Sequence, residues 1–218
     1  SVLGVWVAVD IVPSKELNVG EALSPYVAEQ KEVGLKYETE TFGTGLAYFT
    51  TDEPRTLTGN DNIFRESGEN EHQGIELTLY GKATDNLKLL GGVTWLDAKQ
   101  KGTGDSTTEG KRAIGVAEWM AVMGAEWDVP QIEGLAVDGQ VHYVSSRYAN
   151  ATNTLKLDDW TTVGIGARYL VNIGNQDLTL RARVDNLFDR DYWSSANDSG
   201  QITLGAPRTV SISATVDF

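Results

Sequence analysis

The side chains of the last eleven residues, RTVSISATVDF, alternate between apolar and polar. Val210, Ile212, Ala214, Val216 and Phe218 fall on one face of an extended strand, and hydroxyl and carboxylate side chains fall on the other. A strand of this kind suits a sheet with one solvated face, and it also suits a transmembrane β-barrel with lipid on one side and a wet lumen on the other. The pattern recurs along the whole chain, so it predicts an all-β, antiparallel fold.

Alternation and flanking turn residues predict ten strands, and no segment shows a helical period with caps. Among the clearest, Leu178, Leu180, Ala182 and Val184 oppose a face that carries two arginines. The predicted strands are Val2–Asp10, Lys31–Thr39, Thr44–Thr51, His72–Lys82, Leu87–Ala98, Val116–Asp128, Leu135–Ser145, Trp160–Asn172, Asp177–Asn186 and Arg208–Phe218.

The predicted connections alternate between long and short. The short ones are Glu40–Gly43, Ala83–Asn86, Val129–Gly134 and Ile173–Gln176; the long ones are Ile11–Gln30, Asp52–Glu71, Lys99–Gly115, Ser146–Asp159 and Leu187–Pro207. A compact soluble domain rarely carries so many long loops, whereas an outer-membrane barrel has short periplasmic turns and long extracellular loops. The order therefore predicts an up-and-down transmembrane barrel with Phe218 at the periplasmic end.

Composition excludes several classes of function. The 218 residues include no cysteine, so disulfides, thiolate metal sites and cysteine nucleophiles are ruled out. A net charge of −13 argues against nucleic-acid binding. His72 and His142 lie on different predicted strands, without a ligand pair at a suitable spacing, so we expect no metal site and no cofactor. Paired carboxylates could do acid–base chemistry, but the sequence supplies no nucleophile or defined pocket, so we expect no enzymatic activity.

The polar faces of the strands favour a wet lumen. Arg181, Arg183 and Asp185 cannot lie in a dry core without partners, and Arg168 on the preceding strand is one candidate. Three further carboxylates are predicted to line the lumen: Glu76, Glu126 and Asp138. Six aromatic residues near strand ends are predicted to face outward and anchor the barrel at the membrane interface: Trp95, Trp119, Trp127, Trp160, Tyr143 and Tyr169.

Four stretches resemble motifs of one known family. They are AEQKEVGLKYE (Ala28–Glu38), NEHQGIELTLYGKATDNLKLLGGVTWLDAK (Asn70–Lys99), VDNLFDRDYW (Val184–Trp193) and GAPRTVSISATVDF (Gly205–Phe218). In order and spacing they resemble the carboxy-terminal part of TonB-dependent outer-membrane receptors for ferric siderophores. The resemblance covers essentially the whole chain.

The resemblance implies a barrel of the 22-stranded type around a plug, of which residues 1–218 are the carboxy-terminal ten strands. It implies energised uptake of a ferric siderophore, with TonB engaged through a missing amino-terminal part. Outer-membrane lipid and lipopolysaccharide are the other expected partners, and the acidic segment Asp52–Glu71 is a candidate for cations that bridge lipopolysaccharide. The opening residues resemble a strand rather than a signal peptide, so we expect the chain to begin within a fold.

Two predicted loops mix aromatic and charged side chains, as a surface that contacts a bulky iron chelate would. The candidate ligand-contact residues are Arg147 and Tyr148 in one loop and Tyr192 and Trp193 in the other. The same residues also suit plain loop packing. In Asn186–Asp189, the amide and carboxylate are expected to cap a strand end. Two alternative functions stay open from the residues alone: a passive porin-like barrel and a soluble β-sheet binding module.

Overall fold

A computed structural model describes residues 3–8, 17–23, 25–58, 62–173, 176–197 and 200–217. These residues form strands and connections, and none of them is helical. The strands are β1 (Leu3–Ala8), β2 (Tyr26–Glu38), β3 (Phe42–Thr58), β4 (Phe64–Thr84), β5 (Leu87–Lys101), β6 (Trp119–Asp128), β7 (Leu135–Val144), β8 (Arg147–Tyr148), β9 (Lys156–Leu157), β10 (Trp160–Ile173), β11 (Gln176–Asp185), β12 (Trp193–Ala196), β13 (Ile202–Leu204) and β14 (Thr209–Asp217).

Ten strands form one antiparallel sheet in the order β1-β2-β3-β4-β5-β6-β7-β10-β11-β14. Each long strand pairs with the next long strand along the chain, so the predicted up-and-down architecture is confirmed. The two remaining pairs, β8 with β9 and β12 with β13, are small hairpins inserted between long strands. Within the described residues, β1 and β14 each pair on one side only.

The strand register places the apolar side chains on one continuous face. Opposite residues of an antiparallel pair share a face, and Ala182 lies opposite both Ala167 and Ile212. Along β14, Val210, Ile212, Ala214 and Val216 pair with the four apolar residues of β11, as predicted. The side chain of Ile212 is 83% exposed, as expected where lipid replaces protein neighbours. Phe218 lies outside the described residues.

Aromatic side chains mark both edges of this apolar face. Trp119 lies opposite Trp95 at the long-loop end, and Trp127 lies near the short-turn end of the same strand, β6. The eight residue steps from Trp119 to Trp127 span about 26 Å along the strand. Allowing for strand tilt, that length suits the apolar band of an outer-membrane barrel, about 25 Å tall.

Two strands extend much further than the alternation predicted. β3 has 17 residues and β4 has 21, so most of the predicted loop Asp52–Glu71 is a paired hairpin. At about 3.3 Å per residue these strands are roughly 55 and 70 Å long, well beyond a bilayer. The protruding part lies beyond the bilayer, where lipid no longer contacts one of its faces. Its side chains therefore need not alternate, although its backbone groups still pair. The hairpin is interrupted by one irregularity, between Pro54 and Thr56.

Other predicted bounds also need correction. β2 begins at Tyr26 rather than Lys31, and β6 begins at Trp119 rather than Val116. The small hairpins of β8–β9 and β12–β13 were missed because strands of two to four residues carry too few side chains for a period. Of the predicted strand Val2–Asp10, both end residues lie outside the described ranges.

Gly81 has the most demanding backbone position in the sheet. Its φ is +126°, and an added Cβ would collide with the Thr41 carbonyl oxygen and lie 2.7 Å from the Phe42 Cα. We expect Gly81→Ala to lower the free energy of unfolding by roughly 1–3 kcal/mol, because the obstructing atoms belong to the backbone and cannot rotate away. Gly139 is the matched control: it is in a strand, without positive φ and with open space around its Cβ position. Urea unfolding in lipid vesicles would measure the free energies of unfolding of Gly81→Ala and Gly139→Ala. Equal values for the two variants would contradict the prediction.

Candidate functional site: the lumen wall and the loop cluster

The second face of the sheet carries the charged side chains and forms the lumen wall. On β5, β6 and β10, Lys88 and Arg168 share the carboxylates of Glu126 and Asp128. The Lys88 Nζ lies 2.9 Å from the Glu126 Oε1, and the Arg168 Nη2 lies 3.3 Å from the same oxygen. Arg168 therefore finds its partners on β6 and not on β11, where Arg181 lies directly opposite it.

A second group of ion pairs lies on the same wall, nearer the long-loop end. Arg183 donates to Asp138, to the Gln140 Oε1 at 3.0 Å and to the Asp185 Oδ1 at 2.7 Å. It thus joins β7 to β11 across β10. The predicted lumenal placement of Arg183, Asp138 and Asp185 agrees with this geometry, and these groups compensate one another across the strands.

On the lumen wall formed by β2 to β4, two carboxylates lack a cationic partner within the described residues. Glu32 and Glu76 line one cavity together with Gly34, Gly45 and Ala47, whose small side chains leave room beside the carboxylates. Glu32 accepts from the Gln30 Nε2 at 3.3 Å. No hydrogen bond or ion pair to Glu76 is formed within the described part of the chain. This region can accept a cationic or hydrogen-bond-donating group from another part of the protein.

Trp160 faces the lumen, and its predicted outward position is wrong. It lies opposite Val144, whereas its neighbour Thr161 lies opposite the outward-facing Tyr143. The Trp160 ring packs against Tyr192, with the ring centroids 4.4 Å apart. Position near a strand end suggested an interfacial anchor, but only the register determines the face.

Side-chain hydrogen bonds cap the backbone where the chain leaves β11, as predicted. The Asn186 side chain, which is buried, donates to the carbonyl oxygens of Arg190 at 2.9 Å and Ala206 at 3.0 Å. Asp189 accepts from the Arg208 N–H at 2.9 Å. These bonds hold the two ends of the β11–β14 connection together and set the position of Tyr192 between them.

The four candidate ligand-contact residues fall in one region with different exposures. This loop cluster comprises residues 102–118, 145–159, 186–197 and 200–208. Arg147 is only 4% exposed and donates to the Trp193 carbonyl oxygen, so it links two loops. Tyr148 and Tyr192 are half-buried, and Trp193 is 47% exposed. Trp193 is therefore the candidate with the largest free surface, and Arg147 is placed to support it.

The β5–β6 connection carries two carboxylates with perturbed titration. The Thr103 N–H, 2.9 Å from Glu109, holds the pKa of that carboxyl below its usual range, and the Gly102 N–H adds to the effect. The Thr107 N–H, at 2.8 Å, likewise lowers the pKa of Asp105. Both carboxylates are exposed and organise a turn. Across the described ranges no three histidine or acidic side chains are grouped so that they could hold a metal ion.

Comparison with protein families decides the class of this barrel. Residues 13–187 match the model of the TonB dependent receptor-like beta-barrel family. The chain belongs to the TonB-dependent receptor family. As part of such a receptor, its ten strands are a segment of a transmembrane β-barrel of the bacterial outer membrane. No helix within the described residues is both long and apolar enough to cross a membrane.

Two curated relatives of this receptor segment are receptors for ferrichrome. The ferrichrome receptor FcuA of Yersinia enterocolitica is 37% identical over 204 residues, which is 93% of this chain and 27% of the relative. The ferrichrome outer membrane transporter/phage receptor of Escherichia coli K12 is 29% identical over 216 residues, 94% of this chain and 28% of the relative.

A solved structure shows the same arrangement. The ferric preacinetobactin receptor BauA of Acinetobacter baumannii is similar with a TM-score of 0.83 and 32% identity, over 98% of this chain and 33% of that protein. The chain thus spans between a quarter and a third of the receptors it matches. These relatives are transport receptors, not enzymes.

Proposed function

We propose that this chain is the carboxy-terminal barrel wall of an outer-membrane receptor that takes up a ferric siderophore. The 37% identity to a ferrichrome receptor over 93% of the chain carries the proposal. A ferrichrome-type chelate is accordingly the first ligand to test. No covalent chemistry is required, because uptake consists of binding and then energised passage through the barrel.

We propose further that the missing wall and a plug complete the barrel. Unpaired backbone groups cost several kcal/mol each in lipid, so the free edges of β1 and β14 need partners. The uncompensated carboxylates Glu32 and Glu76 face the lumen, where a plug would meet them. TonB would act through that plug at the periplasmic end, and the long-loop end would face the outside of the cell.

Outer-membrane lipid and lipopolysaccharide are proposed as further partners of the outward face. Charged side chains of both signs lie on the outward face beyond Trp95, toward the long loops. Among them, the Lys99 Nζ is 2.6 Å from the Asp97 Oδ2, and Lys101 lies near Glu71. Cationic side chains at this level suit the phosphates of lipopolysaccharide, and the carboxylates suit the divalent cations that bridge them. The acidic segment predicted for this role, Asp52–Glu71, belongs largely to the protruding β3–β4 hairpin.

Growth on a defined iron source tests the proposed function. The whole protein would be expressed in an iron-starved bacterium that lacks its own ferrichrome receptor, and ferrichrome would be supplied as the only iron source. We expect growth that requires TonB, with ferrioxamine B and ferric preacinetobactin as comparison ligands. Iron uptake that persists without TonB would indicate the alternative, a passive porin-like barrel, and failure with every ferric siderophore would contradict the receptor proposal.

A further inference from the structure

Buried side chains are concentrated at the long-loop end of the described structure, and the barrel wall has few. The fully buried apolar residues are Ala98, Ala113, Ala117, Ala136, Ala149 and Leu157. All but Ala136 lie in the loop cluster or at the end of β5 that meets it. Five of the six are alanines, so apolar burial alone provides little cohesion here. Buried polar contacts must therefore hold these loops together.

Gln100, near the end of β5, is the centre of those contacts. It is 1% exposed and lies on the lumen face of the strand, two residues beyond Ala98. Its Oε1 accepts from the Arg55 Nη1 at 2.7 Å. Its Nε2 donates to the Arg112 carbonyl oxygen at 2.9 Å and to the Ala151 carbonyl oxygen at 2.8 Å. One side chain thus joins the β3–β4 hairpin, the β5–β6 connection and the β8–β9 hairpin.

Further contacts tie the same loops together. The Arg112 N–H donates to the Asn153 Oδ1 at 2.8 Å, and the Asn153 Nδ2 donates back to the Arg112 carbonyl at 3.0 Å. The Gly115 N–H donates to the Tyr148 carbonyl at 2.8 Å. Gly115 has a φ of +74°, and its backbone is so close to the Ala196 carbonyl oxygen that no Cβ would fit. Together with the Arg147–Trp193 bond, this contact attaches the β12–β13 hairpin.

We propose that Gln100 is a positioning residue that locks three loops into one preassembled unit above the lumen mouth. Through Arg147 and Gly115, that unit also fixes the hairpin that presents Trp193. The role of this surface in ligand contact rests on the proposed function, but the preassembly is a property of the protein without ligand. A solute that enters the lumen therefore passes beside this unit, which does not open to admit it.

The chemistry of the amide predicts different results for two substitutions. Gln100→Ala removes all three hydrogen bonds. The carbonyl groups of Arg112 and Ala151 and the guanidinium of Arg55 then each have one partner fewer. Gln100→Glu keeps an acceptor for Arg55 but loses both donors, and it places a carboxylate against the carbonyls of Arg112 and Ala151. The β3–β4 contact should therefore survive in the glutamate variant while the β8–β9 contact is lost.

Distances between spin labels in the ligand-free protein, purified in detergent, test this proposal. Cysteines for spin labels would be introduced two at a time at four exposed residues: Glu66 in β4, Ser106 in the β5–β6 connection, Lys156 in β9 and Ser195 in β12. In the otherwise unaltered protein, we expect narrow distributions for the pairs 66/106, 106/156 and 156/195. Because the two Arg112–Asn153 bonds also join the β5–β6 connection to the β8–β9 hairpin, both Gln100 variants are made in an Asn153→Ala protein, which alone should keep all three distributions narrow. In that protein, Gln100→Ala should broaden the first two roughly twofold or more. Gln100→Glu should broaden 106/156 and leave 66/106 narrow.

The pair 156/195 is the internal reference, because the Arg147–Trp193 bond does not involve Gln100 and should keep that pair narrow in both variants. Gln131→Ala, in an exposed short turn, is the matched control and should change no distribution. If Gln100→Ala prevents insertion of the barrel, the glutamate variant still separates the two contacts. Broad distributions without any Gln100 substitution, or an unchanged 106/156 pair in both variants, would overturn the proposal. None of these distances depends on ferrichrome, so failure of the proposed function would be seen separately.

Discussion

Replacing Ile212 by arginine should lower the free energy of unfolding from a bilayer by roughly 2–4 kcal/mol if the side chain lies near the membrane midplane. Ile212 is opposite Ala182 on the apolar face and is the most exposed large apolar side chain of β14. A guanidinium there would lie in hydrocarbon without water or hydrogen-bond partners, whereas the apolar isoleucine side chain suits that environment. Ala182→Arg on the neighbouring strand should have an effect of similar size.

The matched control lies on the same strand and faces the lumen. Thr215 is opposite Thr179 on the polar face, so Thr215→Arg places its charge in a polar environment and should cost much less. Refolding into lipid vesicles, followed by denaturant titration, measures both variants. A cost near zero for Ile212→Arg, or equal costs for the two, would contradict a lipid-facing position.

Proline substitutions at adjacent positions in β14 should both prevent assembly of the barrel. Successive N–H groups of a strand point to opposite sides, so of Ser213 and Ala214 one donates toward β11 and the other toward the free edge. If the free edge is paired in the whole protein, each proline removes a ladder bond at a cost of about 3 kcal/mol or more. We expect both variants to be almost absent from the outer membrane.

If the second side of β14 were unpaired, the result would differ. The proline at the position whose N–H points away from β11 would remove no ladder bond and would be tolerated. Thr209→Pro is the control, since a sheet accepts proline at the first residue of a strand and Pro207 already precedes this one. The fraction of folded barrel is measured by the change in electrophoretic mobility on heating. Normal assembly of either Ser213→Pro or Ala214→Pro would show that β14 has no partner on its second side.

The sequence is most informative where the two faces of a strand meet different surroundings. In β11 and β14, lipid on one side and water on the other impose alternation, so the faces and the strand order could be predicted. Above the membrane neither face of the β3–β4 hairpin meets lipid, and Arg55 on it is buried against Gln100. The alternation disappears there while backbone pairing continues, and the hairpin was predicted as a loop.

The loop cluster depends on contacts between residues far apart in sequence. Gln100 is one glutamine at the end of a predicted strand, and nothing near it in sequence indicates partners at Arg55 and Ala151. Arg147 is predicted from the sequence as a ligand contact because its loop mixes charged and aromatic side chains, as a surface for a bulky iron chelate would. In the structure Arg147 is buried, and its guanidinium donates to the Trp193 carbonyl oxygen. The face of Trp160 required the register with β7, which local composition does not specify.

The accessibility of spin labels along β14 tests most directly whether this chain forms a lipid-facing barrel wall. A nitroxide at each position from 209 to 216, in the protein reconstituted in lipid, would be exposed to oxygen, which partitions into lipid, and to a polar nickel chelate, which does not. We predict oxygen accessibility with a period of two residues and maxima at positions 210, 212, 214 and 216. Maxima at the odd positions, or high accessibility to the nickel chelate at the even ones, would contradict this account.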